Sequence, residues 1–93
     1  MTKVKLEIYK DGTILYECHN HSGNHDVCTV ISTISGMLAR AALRVNVEPL
    51  KYEDGLVRIY VDKAGYPTLE VFRVAKEAIE DLIKQHPEHI QMC

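Results

Sequence analysis

The chain has 93 residues and a formal net charge of −2 at pH 7, from 11 basic and 13 acidic side chains. This length suits one domain with a single hydrophobic core, so we expect residues 1–93 to fold as one unit. The balanced charge argues against nucleic-acid binding, which requires a basic surface. The N-terminus lacks the apolar segment of a signal peptide, and no apolar run approaches 18 residues, so we expect no membrane span.

The cysteines indicate the compartment. Cys18, Cys28 and Cys93 are odd in number, and their spacing matches no disulfide framework. Free thiols are typical of proteins in a reducing environment. The sequence therefore predicts a soluble cytoplasmic protein.

The first twenty residues predict a β-hairpin. Apolar residues alternate along one face of each strand: Val4, Leu6 and Ile8 in the first, and Ile14, Tyr16 and Cys18 in the second. A two-residue Asp11-Gly12 turn would put these sets on opposite faces of the sheet, whereas a three-residue loop pairs Ile8 with Ile14. We predict the three-residue loop, with Gly12 in the left-handed conformation of a bulge.

This register turns His19 and His21 away from the core, because alternate residues of a strand face opposite sides of the sheet. For His21 to reach the helix that follows, the strand has to end or twist near Asn20. Gly23 then permits a sharp turn.

The central helix is predicted over residues 27–43. We expect it to be largely buried because its apolar side chains cover more than half of the circumference: Val27, Val30, Ile31, Ile34, Met37, Leu38, Ala41 and Ala42. Asp26 is the predicted N-cap, with the orientation of a catalytic group as the alternative role. Ser32 lies one turn after Cys28, where it hydrogen-bonds either within a site on that face or to the helix backbone.

A second hairpin is predicted over residues 45–62. A two-residue Asp54-Gly55 turn pairs Tyr52 with Val57, and this register puts both apolar sets on one face. Pro49 indicates an edge position or a bulge in the third strand, because proline cannot donate to the ladder.

An amphipathic helix is predicted over residues 68–85, where Pro87 ends it, and residues 88–92 can add a last strand. The element order is then β-β-α-β-β-α-β. We expect an α+β domain whose mostly antiparallel sheet of four to five strands packs against two helices.

The segment from His21 to Cys28 contains the residues with the clearest chemistry. A thiol at a helix N-terminus has a lowered pKa because free backbone N–H groups point at the sulfur. A nearby imidazole can take the proton and later return it. Cys28 is therefore a candidate nucleophile with His21 as its base, and the alternative for Cys28 is a small core hydrophobe.

The order His-x-Gly, a short loop with an acidic residue, and then Cys-x-x-x-Ser resembles the active-site stretch of the Prp (YsxB-like) ribosomal-processing cysteine proteases. The resemblance implies Cys28 as nucleophile and His21 as base, and Gly23, Asp26 and Ser32 match the family's supporting positions. It implies cleavage of an N-terminal extension from a large-subunit ribosomal protein, and a homodimer. We predict no metal and no other cofactor.

Two positions of this stretch differ from the family pattern. Asn20 stands where the family usually has glycine before the histidine, and Thr29 replaces the usual alanine after the cysteine. The loop is also short, with Asp26 two residues before the cysteine rather than the commoner three.

Two other functions fit the same segment. His19, His21, His25, Asp26 and Cys28 lie within ten residues and could bind zinc, although no Cys-x-x-Cys pair accompanies them. A non-catalytic interaction protein that keeps the fold is the third hypothesis.

Overall fold

The computed structural model describes residues 1–45, 50–53 and 55–93, with Leu50 described by its backbone only. The elements follow the predicted order: β1 (Thr2–Ile8), β2 (Ile14–His19), α1 (His25–Leu43), β3 (Leu50–Glu53), β4 (Leu56–Val61), α2 (Tyr66–Gln85) and β5 (Ile90–Met92). The five strands form one sheet in the order β3-β4-β2-β1-β5. All neighbours are antiparallel except β1 and β5, which are parallel. The α+β prediction is therefore confirmed.

The first hairpin has the predicted register, with Ile8 opposite Ile14 and Val4 opposite Cys18. The Tyr9 N–H donates to the Thr13 carbonyl at 2.8 Å, which leaves three residues in the loop. Gly12 has a φ of +91°, a conformation that side chains with a Cβ atom rarely adopt. Burial of one face decided this register, because a slip of one residue would expose every apolar side chain.

The second hairpin also has the predicted pairs, Tyr52 with Val57 and Leu50 with Ile59. Its strand β3 lies at one edge of the sheet. The predictions for Pro49 and for the turn residue Asp54 fall outside the described residues.

The core lies between one face of the sheet and the two helices. Fully buried side chains from both layers meet there: Val4, Ile14, Tyr16, Val27, Leu38, Ile59, Phe72, Ile79 and Ile90. The opposite face carries polar pairs, such as the 2.7 Å bond from Arg58 Nε to Glu17 Oε2. This polar-out, apolar-in alternation is what holds a single-layered sheet against a helical layer.

The helices differ from prediction in two ways. Each begins two residues earlier than expected, α1 at His25 and α2 at Tyr66. The prediction that α1 is largely buried is wrong: Val30 is 41% and Met37 is 51% exposed. By length and hydropathy α1 is apolar enough to cross a membrane, but this is weak evidence because core helices share that property.

Candidate active site

The loop between β2 and α1 is bent by two residues with positive φ. Asn20 has a φ of +71° and Gly23 a φ of +80°. Asn20 is also held from both sides, since its N–H donates to the Gly55 carbonyl at 2.9 Å and its carbonyl accepts from Thr2 Oγ1 at 3.0 Å. The chain therefore leaves the sheet directly after His19, as predicted, and carries His21 toward the start of α1.

The N-cap of α1 is Asn24, so the prediction that Asp26 caps the helix is wrong. The Asn24 side chain accepts from the Val27 N–H at 3.1 Å. Asp26 lies inside the first turn and is exposed. A carboxylate there still interacts favourably with the helix dipole. The helix starts earlier than expected because Asn24, rather than Asp26, has extended backbone angles.

Cys28 is the fourth residue of α1 and is partly exposed. Its Sγ lies 3.1 Å from the Ser22 Oγ. Its own N–H is engaged in the first bond of the helix, to the Asn24 carbonyl at 3.0 Å. Both this N–H and that of Val27 are thus bonded to Asn24, so neither is an open donor for an oxyanion in this conformation.

The pKa of the Cys28 thiol lies below its ordinary value. The main cause is hydrogen bonding from the Ser22 side chain and then from the Ser22 backbone. Partial burial opposes this by raising the pKa, and the hydrogen bond and charge of His21 lower it further. A lowered pKa increases the thiolate fraction near neutral pH, and the thiolate is the nucleophilic form.

His21 and Cys28 line the same cavity, whose volume is about 250 Å³. The His21 ring lies beside the turn between β3 and β4, where a Cβ on Gly55 would be 3.8 Å from its Nε2. The structure thus brings together the two residues that the sequence singled out, on a surface open to solvent. Ser32 lines the same cavity and is exposed, one turn beyond Cys28.

The inner wall of the cavity combines apolar and hydroxyl groups. Ile31 and Val57 line it together with Cys18 and Ser35. The Ser35 Oγ is 2.8 Å from the Tyr16 hydroxyl, which is completely buried. Burial raises the pKa of the Cys18 thiol, so the pKa values of the two cysteines at this cavity shift in opposite directions.

Solved structures of similar fold were found, although no protein-family model and no curated protein matches the chain. The essential ribosomal processing protease Prp from S. aureus, in complex with a covalently linked product peptide, aligns with a TM-score of 0.80 and 17% identity, over 99% of this chain and 97% of that one. The complex of the same protease with a substrate peptide aligns with a TM-score of 0.82 and 16% identity, over 100% of this chain and 98% of that one. SMU.848 from Streptococcus mutans aligns with a TM-score of 0.79 and 20% identity, over 99% of this chain and 95% of that one.

This chain has the Prp fold. The resemblance seen in the His21–Cys28 stretch is therefore confirmed at the level of the fold, over the whole length of the chain.

The difference from the family pattern at Asn20 has a physical explanation. The resembling family usually has glycine at this position, and here the backbone has a positive φ of +71°. Asparagine is among the residues that tolerate this conformation best after glycine. The substitution therefore preserves the bend that places His21.

Sequence reasoning missed Ser22, which is 5% exposed and contacts the sulfur. Its only sequence signal was its place between the candidate base and Gly23. It also missed Ser35, although a buried tyrosine on the core face of β2 signals the need for a polar partner.

The zinc hypothesis finds no support in the geometry. Among the residues described in the structure, no group of three or more His, Cys, Asp or Glu side chains is arranged to hold a metal ion. His19 instead lies 3.9 Å from Glu17 on the outer face of the sheet, and His25 is exposed at the start of α1.

Proposed function

We propose that this protein is a cysteine endopeptidase that removes an N-terminal extension from a large-subunit ribosomal protein. The observation that carries the proposal is the shared cavity of Cys28 and His21, in which the pKa of the thiol is lowered. The Prp fold adds support, since the S. aureus protease of that fold was solved with substrate and product peptides. A peptide is therefore the expected partner of this cavity.

In the proposed mechanism His21 takes the proton of Cys28, and the thiolate attacks the scissile carbonyl carbon. The tetrahedral intermediate collapses as His21 donates that proton to the leaving amine, which leaves a thioester on Cys28. Water, deprotonated by His21, then hydrolyses the thioester and restores the thiol. Cys28 is the nucleophile that forms the thioester, water is the nucleophile that hydrolyses it, and His21 transfers the proton in each step.

Three further residues have proposed supporting roles. Gly23 permits the bend of the loop through its positive φ. Ser32 offers a hydroxyl to the peptide at the cavity rim. Asp26 is exposed in the first turn of α1, where its charge can contact the basic groups of a substrate.

Incubation with synthetic peptides spanning candidate precursor N-termini tests the function. We expect mass spectrometry to detect two products that sum to the peptide plus one water, and only with unmodified Cys28. Zinc content after purification without an affinity tag is the parallel control. Stoichiometric zinc without cleavage would contradict the protease, and an inert, metal-free protein would indicate the non-catalytic interaction role.

We also propose that the protein is cytoplasmic, where its three free thiols would remain reduced, and that it forms a homodimer. An apolar groove of about 360 Å³ between α1 and α2 supports self-association. Met37 and Val74 line it and are 51% and 62% exposed. Pairing with a second copy would bury these side chains and gain the hydrophobic free energy that the monomer forgoes.

The dimer proposal predicts that Val74→Glu is monomeric, because a pair of such grooves would then bury two carboxylates. Tyr9→Glu is the matched control, since Tyr9 is 48% exposed on the first hairpin, away from the groove. Sedimentation velocity measures both. A wild-type protein that sediments as a monomer at all concentrations, or a Val74→Glu variant that still dimerises, would contradict the groove as the interface.

A further inference from the structure

Ser22 occupies a buried position directly behind the nucleophile. Its side chain is 5% exposed, and its Oγ lies 3.1 Å from the Sγ of Cys28. The same oxygen accepts from the Asn24 N–H at 3.0 Å and lies 2.9 Å from the Asn24 carbonyl, to which it can donate. Cys28 lines the cavity, whereas Ser22 is not among its lining residues.

The Ser22 hydroxyl has one proton and two acceptors within reach. When Cys28 is a thiol, the hydroxyl can donate to the Asn24 carbonyl and accept the weak S–H bond. When Cys28 is a thiolate, the sulfur can only accept, and a hydrogen bond to a charged group is stronger than one to a neutral carbonyl. Rotation of one hydroxyl therefore follows the charge of the sulfur.

We propose that Ser22 is a positioning residue for Cys28. Its hydroxyl donates a hydrogen bond to the thiolate before attack, and it donates to the Asn24 carbonyl again once the sulfur is acylated. The proton that Cys28 loses goes to His21, so Ser22 changes partner without changing its own protonation. The peptide-cleaving part of this role rests on the proposed function. The stabilisation of the thiolate does not.

The backbone around Ser22 holds the hydroxyl in place. The Ser22 carbonyl accepts from the His89 ring through Nδ1 at 3.3 Å, which ties the loop to the segment before β5. Asn20, two residues before Ser22, is hydrogen-bonded to Gly55 and to Thr2. A donor fixed from several sides loses little entropy when it binds the thiolate.

The proposed bond has two opposite effects on reactivity. It increases the fraction of Cys28 present as thiolate, in agreement with the dominant influence of Ser22 on the pKa of this thiol. It also makes each thiolate less nucleophilic, because intrinsic thiolate reactivity falls as the pKa falls. Removal of the hydroxyl should therefore slow the reaction at low pH and make it faster at high pH.

The test compares Ser22→Ala with its parent, both carrying Cys93→Ser so that this exposed thiol does not react. Iodoacetamide alkylation is followed across pH 5–10, reading the Cys28 peptide by mass spectrometry. We expect the midpoint of the alkylation rate against pH to lie at higher pH in Ser22→Ala than in the parent. Below the midpoint the variant should be alkylated roughly three- to tenfold more slowly, and the two rate profiles should cross. A midpoint that does not move, or a uniform loss of rate at every pH, would overturn the proposal.

Two further variants separate the hydroxyl from the loop. Ser22→Thr keeps the hydroxyl and should restore the parental midpoint. Asn24→Ala removes the N-cap side chain but leaves the backbone groups that bond Ser22, so its midpoint should stay closer to the parent. An Asn24→Ala shift as large as that of Ser22→Ala would assign the effect to the helix start and overturn the proposal.

The alkylation readout is independent of peptide cleavage. Crossing curves without any cleaved peptide would sustain the role of Ser22 and refute the protease. Cleavage with identical alkylation profiles would do the reverse. With an active substrate, Ser22→Ala should lower kcat at low pH and leave KM unchanged, because Ser22 lies behind the sulfur rather than on the cavity wall.

Discussion

Replacement of Cys28 by alanine is expected to abolish peptide cleavage while leaving the fold intact. The side chain is partly exposed at the cavity and is not part of the buried hydrophobic core, so its loss removes little packing. It does remove the only atom proposed to form a covalent bond with the substrate. Deletion of the nucleophilic atom typically removes all catalysis that depends on a covalent intermediate.

The measurement is product formation by mass spectrometry, with circular dichroism to verify the fold. Cys93→Ala is the matched control, because Cys93 is an exposed free cysteine outside the cavity and should retain full activity. Cys28→Ser adds a stricter comparison, since a hydroxyl of similar size ionises far less readily than a thiol. Cleavage at the wild-type rate by Cys28→Ala would eliminate the proposed mechanism.

His21 is the proposed general base for Cys28. His21→Ala is expected to lower kcat by roughly 10²–10⁴-fold, the usual contribution of a positioned general acid–base group. His25→Ala is the matched control, because His25 is also exposed and lies four residues away at the start of α1, yet does not line the cavity. We expect its activity to stay within a factor of a few of wild type.

The same variant has a predicted pH signature. His21 lowers the pKa of the Cys28 thiol through its hydrogen bond and charge, so its removal should raise that pKa. The thiolate is the reactive form and accumulates as pH rises through the pKa. The rising limb of the rate profile should therefore move to higher pH in His21→Ala. An unshifted limb with normal kcat would mean that His21 neither ionises the sulfur nor transfers its proton.

The strand registers were predictable because only one register buries the apolar side chains of both strands on the same face of the sheet. Val4, Leu6, Ile14 and Tyr16 could reach the core together only with a three-residue loop, and the structure has that loop. The second hairpin followed from the same argument. The element order and the α+β class depended on these periodicities, which are properties of the chain alone.

The helix ends and their capping residues were harder to predict from the sequence. Asn24 and Asp26 are both good N-cap residues, and local propensity does not distinguish them. The bend at Asn20 and Gly23, together with the Ser22 bonds to Asn24, decided where the helix begins. Those bonds join residues of one loop, but Thr2 and Gly55 fix its path from other elements.

The sequence by itself determined the alternation of its strands, the two amphipathic helices and the short interval that separates His21 from Cys28. Only the tertiary structure decided that α1 leaves Met37 and Val30 exposed, and that the hydroxyl of Ser22 meets the sulfur. Periodicity specifies which side chains share a face. The packing of distant elements decides which of those faces is covered and where a loop directs its polar groups, because those contacts join residues far apart in the chain.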